Sequence, residues 1–248
     1  MYENRIKEID ELKKEIDNLR PLEKQDLEQL KEYFRIGLTY SSNALEGNSL
    51  TETETKIIIE DGITIGGKSL RDHFEVVGHS KAYDYLFKAA QVNVITEQDI
   101  LEFHRFFYYH IDEKNAGQYR KVQVFISGTQ FVPPSPDKVP ILMKEFSANI
   151  SELEKDCHPV EYAALLHKEF VEIHPFVDGN GRTARLLMNL ALLQHGYCVT
   201  IIPPILRSDY IGAIKKSQEI KDDKPFVNFI SNMVYESCKD YLRLLEKL

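Results

Sequence analysis

Residues 173–195 read IHPFVDGNGRTARLLMNLALLQH, and both the fold and the chemistry of the chain turn on them. The segment opens where a helix must stop. Pro175 disfavours helical backbone at the residue before it, so the run PVEYAALLHKEFVEI (159–173) ends near His174. Gly179, Asn180 and Gly181 then make a turn. Behind the turn, TARLLMNLALLQH is apolar on nearly every side. Such a helix is buried all round, which puts it at the centre of a helical domain.

The pattern outward from this helix is helical almost throughout. Gly196 ends the central helix, and PFVNFISNMVYESCKDYLRLLEKL is an amphipathic last helix. Upstream, Thr96 with Asp99 marks a helix start leading into ILEFHRFFYYHI, and a further helix spans about Leu70 to Ala90. Thr51 with Glu54 three residues on is a capping box. Leu27, Leu30, Phe34, Leu38, Ser41 and Leu45 share one face of a second helix, with Pro21 in its first turn and Gly47 as its stop. Ile6, Ile9, Leu12, Ile16 and Leu19 make a first amphipathic helix, which either packs on its own domain or forms a homodimer. The period changes once: Val122, Val124 and Ile126 alternate with Gln123 and Phe125, Gly128 breaks the run, and Phe131 and Val132 follow. That pattern predicts a small β-hairpin. The expected fold class is all-α with this one hairpin. The expected organisation is a helical region at 1–90, a core at 91–215 and a C-terminal helix at 216–248.

Composition narrows the function. The 248 residues carry a formal charge of -8, so a basic nucleic-acid-binding surface is not expected. Three cysteines form no CxxC pair and read as reduced thiols rather than a disulfide framework or zinc site. No stretch approaches the ~18 apolar residues of a membrane span, and the first twenty residues lack the apolar core of a signal peptide. A soluble protein of a reducing compartment, the cytoplasm, is expected, without nucleic acid or membrane partners.

The chemistry sits in residues 174–185. Each part has an ordinary reading and a functional one. A histidine before a proline is a helix-end residue, or a base with a pKa suited to neutral pH. GNG is a turn, or a cradle whose backbone N–H groups converge on an oxyanion at a helix N-terminus. Arg182 and Arg185 share a helix face; they are solvated, or they fork onto phosphate oxygens. Asp178 can hold Mg²⁺, which takes one or two carboxylates plus substrate phosphates. Two arginines opening an otherwise apolar helix require compensation, and a polyphosphate would supply it.

The string also resembles the Fic family motif HxFx(D/E)GNGRxxR, matching His174, Phe176, Asp178, Gly179, Asn180, Gly181, Arg182 and Arg185. The resemblance extends over about residues 35–215. It implies an adenylyltransferase that moves AMP from Mg-ATP to a Ser, Thr or Tyr hydroxyl of a target protein. It implies His174 as general base, Asp178 as Mg²⁺ ligand and Gly179–Gly181 as the anion hole. Arg182 and Arg185 would bind phosphate, with Arg185 on the γ-phosphate, and Phe176 would pack the loop on the core. Tyr210 would lie near the adenine, or would simply pack its helix. GQYRKVQVFISG…FVPPSPDKV resembles the family's flap, along which the target segment would dock by strand pairing.

Ser42 and Glu46 lie four apart on one helix face. Glu46 falls at the helix C-terminus, where an acid opposes the dipole at about 0.3–1 kcal/mol, so it is exposed or it has a cationic partner. SSNALEG resembles the family's inhibitory motif (S/T)xxxE(G/N) in the class with an N-terminal inhibitory helix. That implies a Glu46–Arg185 pair, steadied by Ser42, that displaces the γ-phosphate. Two other readings use the same segment. One is transfer of a different phosphate-linked group or removal of AMP; the other is a binding protein with a silent site. His73, His79, His104, His110 and His167 read as core or helix-end residues rather than metal ligands.

Overall fold

In the computed structural model, residues 2–126 and 129–247 are described. Among the described residues ten α-helices run in the order α1 (Ile6–Asn18), α2 (Lys24–Ala44), α3 (Glu52–Asp61), α4 (Leu70–Ala89), α5 (Glu97–Tyr108), α6 (Val139–Asp156), α7 (Pro159–Ile173), α8 (Asn180–Gln194), α9 (Arg207–Ile220) and α10 (Lys224–Leu245).

The central helix is α8. Leu186, Leu187, Met188, Leu190, Ala191 and Leu192 are all fully buried, and each large apolar side chain removed from water contributes ~1.5–3 kcal/mol. Packed around α8 are α7, α4, α5 and α2. The one polar side chain in its middle, Asn189, is satisfied by the chain itself. It donates to the Arg185 and Thr200 carbonyls at 2.9 and 3.1 Å and accepts the Thr200 N–H at 2.7 Å. That pins the strand-like exit after Gly196 against the helix. The core is continuous from Ile9 on α1 to Leu245 on α10.

Local signals hold at the ends of α3 and α5, where both capping boxes are formed. At α2 the expectation shifts. Pro21 lies before the helix, which begins at Lys24 behind Glu23, and the Arg20–Pro21 peptide is cis. The apolar face of α1 packs on α10, with Ile9 and Ile16 buried. Cys198 and Cys238 are buried and their thiols meet at 3.4 Å without a bond.

The expected hairpin is a correction. Among the described residues no strand forms at 121–126 or 129–138, and the expected turn at Gly128 lies outside them. Backbone carbonyls there are taken by side chains instead of a ladder. Arg120 donates to the Val122 and Pro134 carbonyls at 3.1 and 2.5 Å. The Gln123 amide donates to the Val124 and Pro133 carbonyls at 3.2 and 3.0 Å. Pro133, Pro134 and Pro136 carry no N–H to donate in return. The flap segment between α5 and α6 is thus held by side chains in place of a ladder.

Candidate active site

The loop between α7 and α8 gathers the motif. At the end of α7, His174 adopts a left-handed conformation (φ 51°), which costs a non-glycine residue about 1–2 kcal/mol. Its N–H donates to the Phe170 carbonyl at 3.0 Å, and its own carbonyl accepts from Arg120 Nε at 2.8 Å. The ring Nδ1 lies 3.3 Å from the Val171 carbonyl. A carbonyl only accepts, so Nδ1 carries the proton and Nε2 keeps the free lone pair. Burial pushes the His174 pKa below its usual 6.5, and Arg120 adds to that, while Val171, Glu46 and Asp178 oppose it. The ring is therefore neutral at pH 7 and able to take a proton.

The loop itself is rigid. Asn180 bridges it, accepting the Phe176 N–H and donating to the Phe176 carbonyl, both at 2.9 Å. Its side chain is thus committed to the loop, and its contribution to an anion site is its backbone N–H. Phe176 is fully buried and stacks on His104 with ring centroids 3.8 Å apart and ring planes nearly parallel. His104 accepts the Gly117 N–H on Nδ1 at 2.9 Å and so donates from Nε2 to the Asp178 carbonyl at 3.1 Å. Burial pushes its pKa down to about 3, so it stays neutral. Gly179 (φ 80°) is required: a Cβ there would meet the Phe107 ring at 2.5 Å.

Glu46 lies over the start of α8. A Cβ on Gly181 would stand 2.2 Å from Glu46 Oε1, so the carboxylate rests against the glycine loop itself. The same oxygen accepts from Arg185 Nη2 at 2.7 Å. Arg185 further donates to the Ser42 hydroxyl (3.0 Å) and carbonyl (2.8 Å). Burial alone would raise the Glu46 pKa, but Arg185 and then Arg182 outweigh it and hold it below the usual value. The anion site at the head of α8 thus holds an anion from the chain. The Glu46 side chain is 34% exposed, whereas that of Arg185 is almost wholly buried.

Arg182 is compensated from within. It pairs with the buried Glu75 at 3.0 Å, donates from Nη1 to Asn43 Oδ1 at 3.3 Å, and lies over the Phe107 ring. Asp178 presents Oδ1 to the Gly179 N–H at 2.7 Å, while Oδ2 faces Arg71 at 2.5 Å and Arg182 at 3.6 Å. Among the described residues no cluster of three His, Cys, Asp or Glu side chains could cage a metal. A single accessible carboxylate beside a phosphate site fits Mg²⁺, which relies on substrate oxygens for most of its shell.

Tyr210 packs its helix, one of the two expected roles. It is buried, packed on Phe226 and Phe229, and its hydroxyl lies between Arg185 Nη1 (3.4 Å) and His167 Nε2 (2.8 Å). Its hydroxyl helps seat Arg185. The sequence reading missed Glu75, Arg71, Asn43 and Arg120, which lie on α4, α2 and the flap and meet the motif only in the fold. A buried carboxylate opposite two helix-opening arginines was the one available hint. A groove of about 1090 Å³ between α2 and α3, lined by Tyr33, Ile36 and Lys56, shares none of these residues.

The chain is similar to known proteins over most of its length. The Fic/DOC family model matches residues 94–192. The "Protein adenylyltransferase Fic" of Drosophila grimshawi is 41% identical over 205 residues, 82% of this chain. The chain spans about two fifths of the length of such curated relatives: 42% in that case. Fic-1 from C. elegans, solved as a fragment, superposes with a TM-score of 0.85 at 31% identity, covering 96% of this chain and 70% of that one. A Fic-domain signaling protein from Bacteroides thetaiotaomicron superposes with a TM-score of 0.89 at 31% identity over 96% of this chain and 98% of its own. The chain belongs to the Fic family.

Proposed function

We propose that the protein transfers AMP from Mg-ATP to a Ser, Thr or Tyr hydroxyl of a target protein, and to itself, under restraint by Glu46. The observation that carries the reading is the convergence of His174, Asp178, Arg182 and Arg185 on the glycine loop at the head of α8, where a carboxylate of the chain already occupies the anion position. The names of the curated relatives support the choice of AMP.

In this reading His174 Nε2 takes the proton of the attacking hydroxyl. The free N–H groups of the first turn of α8, with its dipole, stabilise charge on the phosphates. Asp178 would hold Mg²⁺, which neutralises the phosphate charge when bound. Arg185 would receive the γ-phosphate once Glu46 withdraws; Arg182, locked on Glu75, contributes its positive field. With Glu46 in place, ATP could enter only with its phosphates displaced, and small displacements cost large factors in rate. The target segment would lie along the flap, where Val122, Phe125 and Val132 are exposed. Residues 1–90 would then be the restraining region, 91–215 the catalytic core and 216–248 its buttress. The unbonded thiols suit a reducing compartment such as the cytoplasm.

Intact mass spectrometry tests the reading. Wild type, Glu46→Gly and Glu46→Gly/His174→Ala are incubated with Mg-ATP. An AMP-sized adduct on Glu46→Gly alone is expected. No adduct on any variant, nor on candidate targets, would count against AMP transfer and turn attention to other nucleotides or to AMP removal.

A further inference from the structure

Arg120 is among the largest fully buried side chains in the molecule, 2% exposed. Among the described residues no carboxylate pairs with it. Burying a guanidinium without a counter-charge is costly, and burial pushes its pKa down. What it has instead is three carbonyls from three separate places. Nε donates to His174 at 2.8 Å, Nη1 to Val122 at 3.1 Å and Nη2 to Pro134 at 2.5 Å. Its backbone N–H adds a fourth contact, to the Pro175 carbonyl at 2.9 Å.

These partners are not equivalent to ordinary loop packing. Val122 and Pro134 begin and end the flap, which among its described residues has no strand ladder to fix its two limbs. His174 is held in a left-handed conformation by its N–H bond to Phe170 and by Arg120 on its carbonyl. Strain of that kind persists only where the surroundings over-determine it. A single planar fork therefore sets both limbs of the flap and the backbone that carries the imidazole. Arg is suited to this because its five donors lie in one fixed plane; Lys offers a point charge on a flexible stem.

We infer that Arg120 is a positioning residue that registers the docked acceptor segment against His174. The inference rests on the reading of His174 as the base and the flap as the docking edge. It also has an electrostatic consequence. The charged groups facing His174 are Arg120, Glu46 and Asp178; the first disfavours the imidazolium and the two carboxylates favour it.

The test uses the full chain with Glu46→Gly as parent, and adds Arg120→Met or Arg120→Lys. None of Arg120's bonds reaches the 178–185 loop, so the dissociation constant for Mg-ATP stays within about twofold. In Arg120→Met, kcat falls about a hundredfold, the loss typical of a misplaced reacting group, and KM for the acceptor rises. The His174 imidazole, followed by NMR titration, shows a higher pKa than in the parent. Arg120→Lys, which keeps the charge, leaves that pKa near the parent value and recovers part of kcat. If Arg120→Met does not fold, Arg120→Lys still tests the split, with kcat and acceptor KM changed and Mg-ATP binding kept. Unchanged kcat and acceptor KM in a folded variant overturn the inference, as does a loss of Mg-ATP binding in step with the rate. If the Glu46→Gly parent transfers nothing, it is the transferase reading that has failed. The titration then still decides whether Arg120 acts on His174: a raised pKa in Arg120→Met supports it, and an unchanged one overturns it.

Discussion

Glu46 Oε1 accepts a hydrogen bond from Arg185 Nη2 at 2.7 Å, joining the end of α2 to the head of α8 across 139 residues of chain. The pair is lopsided. Arg185 is almost wholly buried and held by Ser42 and Tyr210 as well, whereas a third of the Glu46 side chain meets solvent. The arginine is the more deeply buried and more fully bonded partner of the two.

Removing the Glu46 carboxylate should release activity. Glu46→Gly is expected to raise the rate of AMP transfer on the order of 10- to 100-fold. Radiolabelled or mass-detected AMP incorporation at matched Mg-ATP checks it. A variant no faster than wild type would show that the Glu46–Arg185 contact is structural and not a restraint.

The imidazole sets the pH dependence. Because burial lowers the His174 pKa, its base form persists below pH 6.5 and disappears only as pH falls through that lowered value. In the Glu46→Gly protein, kcat/KM should be flat from pH 8 to 6.5, with its acid limb below 6.5. His174→Ala should cost about 10²- to 10⁴-fold in rate while Mg-ATP affinity is kept. An acid limb above pH 7 would contradict this assignment.

In the proposed site Mg²⁺ would share Asp178 with Arg71. Their contact is short, 2.5 Å, but Arg71 is more than half exposed, and exposed pairs contribute roughly 0–1 kcal/mol. Arg71→Ala in the Glu46→Gly protein should therefore lower the Mg²⁺ needed for half-maximal rate, and by no more than about fivefold. Titration with Mg²⁺ at fixed ATP reads the shift, and a requirement for more Mg²⁺ would show that Arg71 assists loading.

Glu75 carries a stability burden that its surface-like neighbours do not. It is buried and accepts from Arg182, Arg71 and Asn48. Its removal leaves the Arg182 charge buried with only the more distant Asp178, a loss of about 3–5 kcal/mol for a broken buried pair. Glu75→Ala should lower Tm on the order of 10 °C, measured by calorimetry, whereas Glu60→Ala on an exposed face should shift it little.

Much of the architecture was legible because it depends on local chemistry. Capping at Thr51 and Thr96 needs only residues three apart. The burial of α8 follows from apolar side chains on every face. The hairpin failed for an equally physical reason: alternation of Val122, Val124 and Ile126 describes which side chains point together, not where the backbone groups find partners. Arg120 and Gln123 supplied those partners, and three prolines could not. Tyr210 was placed on the right helix, but the direction of its hydroxyl depends on Arg185 and His167, from two other helices.

By itself the sequence determined the helical class, the central helix and the family motif from His174 to Arg185, because all of these lie within single turns or periods of the chain. Only the tertiary structure decided what neutralises the two arginines: Glu75 from α4 for Arg182, and Glu46 from the end of α2 for Arg185. Charge compensation in a buried site is a matter of distance in space, and residues over a hundred positions apart become neighbours only when the core closes.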